Sequence, residues 1–421
     1  MYPGEDDPLR IAFLTYRGHP HVGGQGVYTR HLTRALADLG HHVEVLGGQP
    51  YPDLDPRVRL VRLPSLDIFN DVHPGRFPAY WELKTLPDVV EAAQFSLGTF
   101  SEPLAFSLRA WQALRDRTGA FDVVHDNQSL GYGLLAVARV LPTLATLHHP
   151  ITVDRRLEKA HAPTRRKRLS VSRWYGFVGM QARVARRLPR LLVVSTQSMA
   201  DIATDMGVPA DRMRLVPVGV DTTLFRPRPE VRRVPGRLVT TASADVAMKG
   251  LAVLLEAVAK LRTERDVTLT VIGRLKAEGS AAATIERLGL TGAVSFVSGV
   301  PDERIVELYA EAELAVVPSL YEGFSLPAVE AMATGTCLVA TTGGALPEVT
   351  GPDGETALTC PPGDADALAA ALRRGLDDPE LRARVGAAGR ERVVARWSWR
   401  HTAAATVEQY REVIARHRRP G

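Results

Sequence analysis

Apolar, β-branched runs alternate with stretches of helical periodicity from one end of the chain to the other. That alternation is the sequence form of parallel sheets covered by helices on both faces, so the predicted fold class is α/β. In the first half, Ile11–Thr15, Val43–Leu46, Val58–Arg62, Val123–His125, Leu144–His148, Leu191–Ser195 and Met213–Val216 read as strands. In the second half, Arg237–Thr241, Val267–Ile272, Val294–Val297, Leu314–Val317 and Leu338–Ala340 do. Between them Phe225–Gly236 carries three prolines and four arginines, a composition suited to an extended linker. The expected division is one domain over 1–218, a hinge over 219–236 and a second domain over 237–398. Trp399–Arg418 is a helical pattern with no strand after it. Residues 64–110, punctuated by prolines, give no firm assignment.

Composition narrows the classes. A chain of 421 residues suits two domains of ~200 residues each. With 45% hydrophobic and 24% charged residues it is neither disordered nor collagen-like. The apolar stretch Gly133–Leu147 is broken by Arg139 and Pro142, short of the ~18 residues of a membrane helix. Met1–Arg10 is acidic and Pro-containing, without a signal-peptide pattern, so a cytoplasmic location is expected. Cys337 and Cys360 lack metal or redox spacing and read as buried, reduced thiols. Residues 154–190 hold twelve Arg/Lys against two acids, while the whole chain is only +5, so the remainder is net acidic. No nucleic-acid reading module accompanies this basic segment, which argues against nucleic-acid binding.

Three stretches offer chemistry. Gly23-Gly24-Gln25-Gly26 follows the first strand and precedes the helical pattern Val27–Leu39. Glycines there admit a ligand close to the backbone, and the helix start offers N–H groups to an anion. A dinucleotide fingerprint fails, because Thr29 stands where a glycine is required and Leu46-Gly47-Gly48 supplies no ribose-binding acid. A Gly-rich turn without a ligand stays open. The stronger constellation is Pro318-Ser319-Leu320-Tyr321-Glu322-Gly323-Phe324-Ser325-Leu326-Pro327, leading into a helical pattern. Backbone N–H groups of Phe324–Leu326 then form an anion site at the carboxyl end of a strand. Glu322 and Glu330 suit a sugar and a ribose flanking a diphosphate, since carboxylates accept hydrogen bonds from hydroxyls. For Glu330 alone, a favourable acid in the first helical turns explains as much. Third, Lys249 opens the pattern Leu251–Leu261, where an ammonium can neutralise a leaving diphosphate. Asp53-Leu54-Asp55 and Asp364-Ala365-Asp366 read as solvated or capping acids, and no metal is called for.

The Pro318–Pro327 segment, with Glu322 and Glu330 at its two acidic positions, resembles the Glu-x7-Glu signature of retaining glycosyltransferases of family 4. Gly23-Gly24, Val216-Pro-Val-Gly219-Val-Asp221, Lys249-Gly250 and Gly343-Gly344-Ala-Leu-Pro347-Glu348 agree in order. The match spans most of the chain and is specific over 213–376. It implies the GT-B fold: two Rossmann-like domains facing each other across a cleft, the C-terminal helix returning to the N-terminal domain. It also implies transfer of a hexosyl unit from a nucleotide diphosphate sugar, UDP being the common base, to an acceptor hydroxyl with retention. That sugar nucleotide is a co-substrate; no cofactor is expected. By the same similarity Glu322 contacts the transferred sugar, Glu330 the ribose, and the amides of Gly323, Phe324, Ser325 and Leu326 the diphosphate. An epimerase or phosphorylase on the same fold, or a decayed nucleotide-binding protein, are the alternatives.

One position departs from the family pattern. Where an arginine is usual, five residues before Lys249, this chain has Ala244. Arg274, at the carboxyl end of the strand Val267–Ile272, is the expected substitute, an exposed loop arginine being the plain reading. His148 and His149 end the fifth strand; His148 is expected beside donor and acceptor, as a histidine after a comparable strand is in the family. His149 and Asn127, the latter within His125-Asp126-Asn127, are expected on the acceptor side. The segment Arg155–Arg190 interleaves Trp174, Tyr175 and Phe177 with its charges. Peripheral contact with the inner face of a membrane is one reading, and a solvated basic surface the other.

Overall fold

The structure, a computed structural model, describes residues 7–18, 24–70, 73, 75–242, 246–276 and 279–418. Contacts divide the chain into two compact units. The first comprises Met1–Val194, Ser198–Pro217 and Trp399–Gly421, the second Ser195–Gln197 and Val218–Ser398.

In the first unit seven parallel strands form one sheet: β1 (Arg10–Thr15), β2 (His42–Gly47), β3 (Arg59–Arg62), β4 (Val123–Asn127), β5 (Thr143–Leu147), β6 (Leu191–Val193) and β7 (Met213–Leu215). Their order is β3-β2-β1-β4-β5-β6-β7, with Ile11 opposite Val43 on one side and Val123 on the other. β1, β4 and β5 are buried along nearly their whole length. A strand covered on both faces needs apolar residues at successive positions, which is why these runs read clearly from sequence. Leu14, Phe106, Val124, Leu134 and Val184 belong to the core above the sheet.

The helix Trp399–Arg418 belongs to this unit although it follows the second one in sequence. It packs on the helix Gly24–Asp38, where Trp399 stacks on His31 at 5.2 Å between ring centroids and meets Tyr28 edge-on at 5.8 Å. Tyr410 is fully buried, and Glu412 pairs at 2.5 Å with Arg190, a guanidinium with no exposed surface. Residues 64–110 fold into the helices Leu86–Ser96 and Glu102–Leu114, each with a proline in its first turn.

The second unit has six parallel strands: β8 (Arg237–Thr241), β9 (Thr268–Ile272), β10 (Val294–Val297), β11 (Leu314–Val317), β12 (Cys337–Thr341) and β13 (Leu358–Cys360), in the order β10-β9-β8-β11-β12-β13. Both sheets therefore share the doubly wound order, reversing between β1 and β4 and between β8 and β11. Ligands of such sheets bind beyond the carboxyl ends of the strands at that reversal. The stretch 219–236 packs inside the second unit. The Phe225 and Thr222 carbonyls accept from Arg390 at 2.6 and 3.1 Å, and Val234 N–H donates to the Glu311 carbonyl at 2.8 Å. Cys337 and Cys360 are buried and free. No helix among the described residues is long and apolar enough to cross a membrane.

Candidate active site

Lys249 and Glu322 stand at the reversal point of the second sheet, beyond β8 and β11 respectively. Lys249 Nζ donates to Glu322 Oε1 at 2.9 Å and Oε2 at 3.1 Å, and Ser319 Oγ donates to Oε1 at 2.6 Å. The two loops are locked together by backbone. Leu320 N–H donates to the Met248 carbonyl at 2.8 Å, and Ala345 N–H to the Glu322 carbonyl at 2.8 Å. Two glycines make this approach feasible. Gly250 has φ +68°, and a Cβ there would lie 1.9 Å from the Pro318 oxygen; Gly344 has φ +63°, and its Cβ would lie 2.3 Å from the Glu322 oxygen. No side chain larger than hydrogen fits either place.

Ser325 precedes the helix Leu326–Ala333 with φ 89° and ψ 86°, a left-handed conformation that costs a non-glycine residue about 1–2 kcal/mol. Its hydroxyl is buried and has no hydrogen-bond partner among the described residues. A strained backbone and an unmet hydroxyl coincide with the positive end of a helix dipole. Phe324 turns its ring inward against Trp397 at 5.8 Å, so only its backbone serves a site. Glu330 is half-buried on the same helix, and its charge, after burial, holds the Tyr309 hydroxyl well above its ordinary range. That hydroxyl bonds Thr241 Oγ1 at 3.0 Å, linking the end of β8 to this cluster.

Gly323 and Leu326 flank the same turn, each half-buried. Arg274 is exposed just past β9, and no hydrogen bond or ion pair joins it to Lys249 or Glu322 among the described residues. Ala244 lies outside the described residues, as does Gly23. Gly24 is exposed at the first position of its helix, where an added Cβ would meet nothing, so sterics do not demand glycine there.

In the first unit, His148 follows β5. Asn127 directs its Nδ2 to the Gln25 carbonyl and Thr29 Oγ1, both at 3.1 Å, which leaves Oδ1 facing His148 Nε2 at 2.8 Å. This network assigns the His148 proton to Nε2 and the lone pair to Nδ1. Burial pushes the imidazole down to about 3, so it stays neutral near pH 7. Nδ1 has no partner among the described residues and can accept a hydroxyl hydrogen bond. Asn127 itself is fully buried and spent on these partners: it positions His148 and the neighbouring helix instead of lining an acceptor pocket. The rest of its triplet is likewise internal. His125 is held between Tyr410 at 2.6 Å and Thr146 at 2.7 Å, and Asp126 caps Leu130 N–H at 3.0 Å. His149 pairs with Asp154 at 2.9 Å.

Sequence reasoning missed Ser319 and Thr241. Ser319 lies inside the singled-out motif, three residues before Glu322, and its hydroxyl is a detail no pattern marks. No cluster of three or more His, Cys, Asp or Glu side chains able to hold a metal ion occurs among the described residues.

The family follows from likeness to known proteins. Residues 22–224 match the family description Glycosyltransferase Family 4 and residues 227–392 match Glycosyl transferases group 1. The chain is 53% identical to an MMP alpha-(1->4)-mannosyltransferase of Mycolicibacterium hassiacum, over 97% of this chain and 99% of the relative. The chain belongs to glycosyltransferase family 4. This family-4 enzyme is also 29% identical to a D-inositol 3-phosphate glycosyltransferase of Acidothermus cellulolyticus, over 98% and 92% of the two chains. Among solved structures, sucrose-phosphate synthase of Thermosynechococcus elongatus superposes with a TM-score of 0.74 at 27% identity, covering 97% of this glycosyltransferase and 100% of that chain. The two doubly wound units of the glycosyltransferase are those of the GT-B fold.

Proposed function

We propose that this glycosyltransferase moves a mannosyl unit from a nucleotide diphosphate sugar to a saccharide hydroxyl, with retention and formation of an α-(1→4) link. The observation that carries the donor assignment is the Ser325 hydroxyl at the start of the helix Leu326–Ala333, without a partner among the described residues and three residues past the Glu322 that Lys249 meets. Charge-assisted contacts there suit a diphosphate. The likeness to the M. hassiacum mannosyltransferase supports the sugar and the linkage.

In this reading Lys249 leaves Glu322 as the donor binds and meets the diphosphate, while Glu322 turns to the sugar hydroxyls. The Leu326 and Ala328 N–H groups, Ser325 Oγ and Lys249 then take up the charge that grows on the leaving phosphate as C1–O breaks. The acceptor oxygen bonds to C1 on the face the phosphate leaves, and its proton passes to a phosphate oxygen, so no side-chain base is needed. Glu330 binds the ribose, and His148, in the first unit, offers Nδ1 to a substrate hydroxyl. Thermal unfolding against UDP, GDP, ADP and their sugars tests the donor, since a ligand at ~100 times its dissociation constant adds ~2.7 kcal/mol. Transfer to α-mannosides followed by NMR of the new anomeric centre tests the rest. No stabilising nucleotide, or an inverted product, would refute the proposal.

A further inference from the structure

A cavity of about 500 Å³ opens in the first unit at the amino ends of β1, β2 and β3. Arg10, His42 and Arg59 are the first residues of those three strands, and Arg117, from the segment between the helix Glu102–Leu114 and β4, lines another side. His148 lies at the other edge of the same sheet, past the carboxyl end of β5.

The walls of this cavity are cationic. Arg10, Arg57, Arg59, Arg117, His41 and His42 line it against a single carboxylate, Glu44. The balancing acids stand behind the guanidiniums. Arg10 pairs with Asp122 at 2.7 Å, Arg57 with Asp55 at 2.8 Å, and Arg117 donates to both Glu44 oxygens at 2.7 and 3.0 Å. Those three carboxylate side chains are 4%, 15% and 11% exposed, whereas their arginines are 43%, 53% and 34% exposed. Arg57 also reaches Asp38 at 2.7 Å, outside the lining. Arg59 is the surplus cation. It is 74% exposed, and its ion pair at 3.4 Å falls on the Glu44 oxygen that Arg117 already holds. A guanidinium carries five N–H donors, so most of those on Arg59 are open to a ligand. His41 Nδ1 accepts the Leu9 N–H at 3.1 Å, which puts the proton of the neutral ring on Nε2. Ala37, Val43 and Phe121 supply an apolar side, with the Arg117 guanidinium 5.0 Å from the Phe121 ring centroid.

We propose that this cavity binds a small phosphate ester, its phosphate held by Arg59, Arg57 and Arg117 and its body resting against Ala37, Val43 and Phe121. Guanidiniums converging from separate segments suit a tetrahedral group with three terminal oxygens, where a carboxylate offers two. The volume is that of a small-molecule site and exceeds what a lone phosphate fills. Because the cavity lies at the amino ends of the strands, its ligand is neither the donor nor the acceptor of the transfer reaction.

The test is calorimetric titration with glucose 6-phosphate of the wild type, Arg59→Gln, Lys249→Ala and Arg287→Gln, the last an exposed cation of the second unit serving as control. The wild type should show saturable binding, and glucuronate, a similar ring with a carboxylate in place of the phosphate, should bind more weakly. R59Q should weaken glucose 6-phosphate about fivefold, the scale of an exposed ion pair, while K249A and R287Q should match the wild type. Imidazole NMR locates the ligand: the His41 and His42 signals should move and the His148 signal should not. No saturable heat below about 10 mM, or an R59Q affinity equal to that of the wild type, overturns the proposal. Binding lost in K249A, or a His148 signal that moves in place of His41 and His42, would put the ester at the transfer site and overturn it too. Glucuronate bound as tightly as glucose 6-phosphate would overturn the assignment to phosphate. Every readout is of binding alone, so failure of the catalytic reading leaves this test intact.

Discussion

Replacing Lys249 by alanine separates what this side chain does for the fold from what it does for the reaction. Lys249 is 32% exposed and its partner Glu322 only 10%, so the substitution strands a nearly buried carboxylate. Breaking a fully buried pair costs about 3–5 kcal/mol. Here the ammonium is a third in water and Ser319 Oγ still donates to the carboxylate, which discounts the loss to about 1–3 kcal/mol. For a unit of this size that is a drop of about 2–12 °C in melting temperature, at about 2–4 °C per kcal/mol. In catalysis the lost contact is charge-assisted and worth about 1.5–3 kcal/mol, or about 10–150-fold in kcat/KM for the donor. The two effects diverge in the double variant Lys249→Ala with Glu322→Gln. Neutralising the stranded carboxylate should restore most of the stability and none of the activity. Scanning calorimetry and initial rates of donor consumption read both. A single variant within threefold of wild-type kcat/KM, or a double variant that recovers turnover, would refute the assignment of Lys249 to the diphosphate.

Four further outcomes are expected. Ser325→Ala removes a hydroxyl without a partner, so urea unfolding should show a change under about 0.5 kcal/mol while donor affinity falls about 3–10-fold by titration. Tyr410→Phe leaves His125 Nδ1 buried and unpaired, and should cost about 1–3 kcal/mol in the same urea assay. Burial pushes the Glu102 carboxyl up to about 7, against the opposing pull of Arg17. Between its ordinary 4.5 and that value the folded chain keeps a proton the unfolded chain has lost, so this group's stabilisation falls as pH rises through the window. Glu102→Gln should therefore gain on the wild type from pH 4.5 to 8, and a pH-independent difference would contradict the burial argument. Finally, transfer should run at an undiminished rate in EDTA, because the proposed charge acceptors are Lys249 and helix amides; a rate lost to chelation and restored by a divalent ion would say otherwise.

The strands were legible because a doubly covered sheet forces apolar residues into successive positions, as in β1, β5 and β11. β13 was not, since its three residues Leu358–Cys360 include a half-buried threonine and form no run. The Glu322 loop was legible through two prolines and a glycine, which constrain the backbone, and through its spaced acids, all of which leave marks in sequence. What could not be read was direction. Asn127 and His148 both end strands at the same sheet edge and look equally able to face a ligand. Only the fold shows that Asn127 spends its amide on Gln25, Thr29 and His148. Ser325 likewise looked like one backbone donor among four, until its positive φ and unpartnered hydroxyl distinguished it.

Those directions divide polar groups into two kinds. In the first unit the residues behind the strand ends satisfy each other: His125 with Tyr410 and Thr146, Asp126 with Leu130, Asn127 with His148. Asn127 fixes the His148 ring, which burial keeps neutral, and Nδ1 is left without a partner among the described residues. In the second unit the groups at the reversal point are arranged for exchange instead. In the proposed reaction Glu322, which accepts from the Lys249 ammonium, gives it up when a diphosphate competes for it, and the same carboxylate is then released for sugar hydroxyls. A donor lacking its diphosphate cannot make that exchange, since it offers nothing to offset breaking the pair. The coupling predicts that free mannose will bind measurably more tightly to Lys249→Ala than to the wild type, because the carboxylate is already free. Equal mannose affinity in the two proteins would mean that Glu322 does not serve the sugar.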